Sequence, residues 1–99
     1  MSVAGDWEIR TRYILGQSVH SMSLAQDGNS LTGTYRSQYS SVNVKGKVEG
    51  KQVQFTAHLG FEANKVDYAY TGSVEGDVMS GSVTLGEYGA AEWAAHRVG

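Results

Sequence analysis

Cysteine is absent from this chain, and so is proline. Without cysteine there is no disulfide framework, no thiolate metal site and no cysteine nucleophile, and the redox compartment is unmarked in either direction. Without proline, no strand position loses its backbone donor. A basic excess is also missing: 8 Lys and Arg stand against 10 Asp and Glu, for a net charge of -2, and they are scattered. That excludes the clustered basic face a nucleic-acid groove needs. No apolar run approaches the length of a membrane-spanning helix, so no membrane partner is expected, and the opening MSVAGDWE lacks the charged and apolar regions of a signal peptide. As given, the chain reads as cytoplasmic; a secreted or periplasmic chain whose leader had been removed would read the same way. G-x-S-x-G, P-loop, Rossmann and HExxH motifs are all missing.

What is present is glycine, 13 of 99 residues, and alternation. Period-two runs with β-branched and aromatic residues on one parity predict strands at about 5–14, 18–26, 30–37, 41–49, 52–59, 65–74, 78–85 and 91–98. The connectors DGN at 27–29, EGK at 49–51 and EGD at 75–77 read as hairpin turns in which Gly28, Gly50 and Gly76 supply positive φ. Short turns between successive strands make an antiparallel meander of one domain, 1–99. The phrase VKGKVEGKQV at 44–53 echoes YTGSVEGDVM at 70–79. In these repeats Gly33, Gly46, Gly72 and Gly81 share parity with the apolar residues, and an inward glycine lets a strand coil sharply enough for a small barrel. The expected fold is therefore all-β: a closed, up-and-down antiparallel barrel of about eight strands, which leaves no edge exposed.

Parity places Trp7 inward with Leu24, Leu31, Val48, Val53, Val74 and Met79, at the end that holds the three tight turns and Arg97. A tryptophan in G-x-W on the first strand with a basic residue near the end of the last resembles the calycin pattern of lipocalins, fatty-acid-binding proteins and avidins. The resemblance implies that Arg97 packs over Trp7 and closes the barrel base. The run DGNSLTGTYRS is similar to the streptavidin-type avidin family, which implies ligand-contacting positions at Ser18 and Tyr35, with Ser37 farther along the same face. Ile9 stands where that family carries a polar asparagine, so biotin is not the expected ligand. Nearly the whole chain also resembles a small β-domain found beside amidohydrolases in secreted bacterial proteins, which implies the fold and no activity.

At the other end of the strands the inward residues include Tyr13, Ser18, His20, Tyr35, Ser37, Tyr68 and Trp93. Apolar walls with a few convergent polar groups describe a ligand pocket. The connectors there, 15–17, 38–41, 60–65 and 86–92, carry Tyr39, Phe61, Glu62, Glu87 and Tyr88. Glu87 and Glu92 are the carboxylates nearest this end. His58 and His96 fall on the outward parity, which removes a three-histidine metal site, and no cofactor is expected. Three functions remain open. The first is binding of a small, largely apolar or aromatic molecule. The second is a cofactor-free isomerase, cyclase or lyase with His20 as proton carrier and Tyr35 as donor to a developing oxyanion. The third is an accessory or oligomerisation domain with a filled barrel. Outward apolar residues, Ile14, Val19, Ala69, Val78, Ala94 and Val98, suggest a homodimer or homotetramer.

Overall fold

The computed structural model describes residues 3–14, 16–36, 41–61, 64–84 and 89–98, without the side chains of 58–61 and 64–67. Eight strands follow one another: β1 Gly5–Tyr13, β2 Gly16–Asp27, β3 Ser30–Arg36, β4 Ser41–Glu49, β5 Gln52–Phe61, β6 Asn64–Glu75, β7 Val78–Thr84 and β8 Ala90–Arg97. Each pairs antiparallel with its neighbours in sequence, and β8 returns to β1, so the sheet is a closed barrel. The closing register sets Trp7 opposite Arg97 and Thr11 opposite Trp93.

Strands β2, β5 and β6 run past their expected limits, and β8 is shifted one residue earlier. Backbone pairing continues from Leu59 and Val66 to Phe61 and Asn64, so most of the 60–65 connector is strand. The first hairpin closes at Tyr13 opposite Gly16, which leaves little of the 15–17 connector.

The inward parity is buried along every described strand, with Trp7, Ile9, Met22, Leu31, Val44, Phe55, Tyr70, Val74, Met79 and Val83 almost wholly withdrawn from solvent. At the base, two-residue turns join β2 to β3, β4 to β5 and β6 to β7, each with a glycine near φ +60° (62, 58 and 61° at Gly28, Gly50 and Gly76). These hairpin tips are stitched to the next hairpin by backbone bonds: Val48 N–H to Asn29 O, Val74 N–H to Lys51 O and Arg97 N–H to Asp77 O. The repeated phrases of the sequence are thus repeated hairpins in a ring.

Two glycines, Gly72 and Gly81, face each other across β6 and β7. A Cβ on Gly81 would lie 1.9 Å from the Thr71 carbonyl oxygen, and one on Gly72 would lie 2.1 Å from that of Ser80 and 3.0 Å from the Trp93 ring. Only a missing side chain allows the strands to approach this closely. The space is filled by the Trp93 indole, whose Nε1 donates to both the Thr71 carbonyl, at 3.1 Å, and the Ser82 carbonyl, at 3.0 Å.

The base is closed as the residue pattern implied. The Arg97 guanidinium carbon sits 4.5 Å from the Trp7 ring centroid, the geometry of a cation–π contact. Arg97 also donates to Asp77 Oδ1 at 2.8 Å and to the Ala4 carbonyl. To reach Ala4 it passes over Gly5, where a Cβ would lie 2.7 Å from Nη1, and Gly5 itself adopts φ +138°. The glycine of G-x-W is therefore the gap through which the arginine passes. Val3, not anticipated from the alternation, completes the plug. It is 1% exposed, its carbonyl accepts the Trp7 indole N–H at 3.0 Å, and its own N–H donates to Gln26 Oε1 at 2.7 Å.

Candidate functional site

Above the plug the interior is filled by rings. Phe55 and Tyr70 stack at 4.7 Å with planes 11° apart, and Trp93 meets both edge-on, at 5.4 and 5.6 Å. Tyr35 continues the series 6.1 Å from Tyr70, and His20 lies edge-on to Tyr35 at 5.2 Å. Adjacent strands produce this order: Phe55 is opposite Tyr70 across β5 and β6, while His20 and Tyr35 rise from the adjoining strands β2 and β3. The series runs from the packed middle of the barrel to a half-buried imidazole.

Polar atoms accompany the rings. His20 Nδ1 and Tyr35 Oη are 2.7 Å apart, and the Tyr35 and Tyr70 hydroxyls interact with each other. Burial is the main cause that raises the Tyr35 phenol above its ordinary value, and burial aided by the neighbouring Tyr35 pushes Tyr70 far up. Both are neutral throughout the physiological range. Partial burial lowers the His20 pKa from 6.5, which favours the neutral ring. A neutral imidazole that accepts the Tyr35 proton at Nδ1 carries its own proton on Nε2.

Thr11 lies beside this network. It is 1% exposed, and its hydroxyl sits with those of Tyr35 and Tyr70, near enough to act on both phenols though beyond a full-strength hydrogen bond. Parity marked Thr11 as inward, but parity alone does not reveal whether a hydroxyl finds a partner.

The residues expected to form the site separate by depth. His20, Tyr35, Tyr13 and Ser18 come together on the first three strands, with the Tyr13 and Ser18 hydroxyls 3.3 Å apart. Tyr68 is half-buried against the core. Trp93 belongs to the packed aromatic cluster, and its only donor is already used by backbone carbonyls. Glu92 is exposed on the outer face of β8, beside Arg10 and Arg12. Ser37, Tyr39, Glu62, Glu87 and Tyr88, and the side chain of Phe61, lie outside the described residues. Three hollows among the described residues, of about 410, 380 and 300 Å³, are all on the outside of the barrel, over β7–β8–β1 and over β4–β5–β6. Among the described residues no cluster of histidines and carboxylates could hold a metal ion.

No protein-family model and no curated protein matches the chain. The closed eight-stranded barrel is compatible with the calycin-like architecture its sequence resembles.

Proposed function

We propose that this barrel binds a small, largely apolar or aromatic molecule between its walls on the side away from Trp7, with Tyr13, Ser18, His20, Tyr35, Ser37, Tyr68 and Trp93 around it. The observation that carries this reading is the half-buried His20 imidazole, 2.7 Å from the buried Tyr35 hydroxyl on the inward face of the barrel. A domain selected only for packing gains nothing from an imidazole there, where leucine would fill a similar volume without the desolvation cost. A ligand-binding interior needs a few such groups to fix orientation.

Native mass spectrometry of the protein as purified, followed by a small-molecule screen monitored by amide NMR, tests this. The expected result is a retained or captured ligand that shifts residues of β1 to β3 around Thr11, His20 and Tyr35. Shifts confined to the outer hollows, or no ligand at all, would sink the reading.

The contact between His20 Nδ1 and Tyr35 Oη favours a second reading, a cofactor-free enzyme. On a substrate that displaces this contact, the freed His20 Nδ1 takes a proton from carbon and the released Tyr35 hydroxyl donates to the oxyanion that develops. His20→Leu separates the two: binding retained with turnover abolished identifies the enzyme, and loss of binding identifies His20 as a ligand contact.

A further inference from the structure

Among the described residues His20 uses one of its two ring nitrogens. Nδ1 lies 2.7 Å from Tyr35 Oη, whereas Nε2 has no hydrogen-bond partner there and is not sealed from solvent. The direction of the first contact decides what the second nitrogen offers. A phenol O–H is a stronger donor than a neutral imidazole N–H, and a bare imidazole nitrogen is a better acceptor than a phenol oxygen, so Tyr35 donates and Nδ1 accepts. The reverse arrangement would turn the Tyr35 proton back toward Tyr70 and Thr11, and Thr11 stands beyond a full-strength bond. Partial burial holds the ring neutral at neutral pH, so its single proton is on Nε2, the nitrogen that solvent reaches.

Depth adds a second constraint. Phe55, Tyr70 and Trp93 pack against one another and are buried, which fills the middle of the barrel. Tyr13, Ser18, His20 and Tyr68 are half-buried, and the Tyr13 and Ser18 hydroxyls pair with each other. A molecule that meets His20 therefore rests on the rim above the packed rings and touches Nε2–H. Lysine, arginine, aspartate and glutamate are missing from the inward parity of β1, β2 and β3 among the described residues, so an uncharged partner suits this donor.

We propose that the ligand is held at the rim of the barrel by His20 Nε2–H, which donates to an uncharged hydrogen-bond acceptor on the ligand. This rests on the ligand-binding reading above and adds the polarity of the recognised group and the depth at which it is met. Tyr35 is a positioning residue: its proton is spent on Nδ1, where it fixes the orientation and the tautomer of the ring.

Long-range proton–nitrogen correlation spectra of the whole protein without ligand, at about pH 8, test the donor directly. The His20 proton is expected on Nε2 with Nδ1 bare; a proton on Nδ1 would overturn the proposal. Three flat probes of similar size then test the ligand's side by NMR titration: pyridine, which only accepts, pyrrole, which only donates, and benzene, which does neither. Pyridine is expected to bind about fivefold more tightly than the other two, the scale of one hydrogen bond, with its largest shifts at His20. His20→Leu should remove that advantage, and His20→Gln, which keeps an N–H donor, should retain part of it. Pyrrole binding as tightly as pyridine would overturn the proposal, as would a pyridine preference that survives His20→Leu. If all three bind alike beside His20 and Tyr35, this inference falls and the ligand-binding reading stands. If none binds there at millimolar concentration, both fall. The wild-type spectra and probe series decide the matter even if His20→Leu folds poorly.

Discussion

Gly5 and Arg97 account for each other. The arginine covers Trp7 and reaches the Ala4 carbonyl only because no side chain occupies its path at Gly5, whose φ of +138° also suits glycine alone. Replacing Arg97 by alanine should cost on the order of 1–2 kcal/mol through lost packing and cation–π energy, whereas Arg12→Ala on the exposed face should stay within about 0.5 kcal/mol. Urea unfolding measures both, and equal effects would mean that Arg97 is not part of the plug. Inward parity placed Trp7 and Arg97 at one end of the meander, and the calycin resemblance implied that one packs over the other. The Gly5 gap and the Val3 lid were not. Val3 is buried by a fold-back fixed through Gln26 and the Trp7 indole, contacts that no periodicity encodes. The pairing of His20 with Tyr35 could be anticipated from two polar rings on the inward parity of adjoining strands, although the register sets Tyr35 opposite Met22 and the two rings meet on the diagonal.

Among the strands, β6 and β7 are the most tightly constrained. Gly72 and Gly81 permit backbone approach and leave a floor on which the Trp93 indole lies. Gly81→Ala forces a methyl against the Thr71 carbonyl, at 1.9 Å if nothing moves. It should therefore destabilise by about 3 kcal/mol or more, at or beyond the upper end of ordinary overpacking. Ser82→Ala, one residue along and facing outward, is the comparison and should be nearly silent. Near-ultraviolet circular dichroism of Gly81→Ala should also show a displaced Trp93; an unchanged signal with wild-type stability would refute the close-approach argument. The inward placement of these glycines was readable from their repetition on the apolar parity. Strand ends were less so. Pairing between β5 and β6 extends to Phe61 and Asn64, beyond the alternation that marks a half-buried strand, because backbone hydrogen bonds need no apolar side chain to continue.

For the molecule as a whole, the buried phenols tie stability to alkaline pH. Tyr35 and Tyr70 have folded-state pKa values above the ordinary 10.0, so the unfolded chain releases their protons first. Their stabilising effect is complete below about pH 10 and is lost as pH rises through the folded values. Thermal unfolding followed from pH 8 to pH 11 should show stability falling above about pH 10, with a shallower fall in Tyr35→Phe. Tyrosinate absorbance that develops at Tyr35 and Tyr70 near pH 10 while the barrel stays folded would contradict the burial argument. The ring closure has a consequence of another kind. Every pairing but one joins strands that are consecutive in the chain; the exception sets Trp7 against Arg97. Hairpins assemble locally within microseconds, but that last seam must bring together positions separated by nearly the entire polypeptide, and loop entropy slows such encounters. The zipping of β8 onto β1 is therefore expected to pace folding, with the cation that covers the tryptophan as the latch that ends the search.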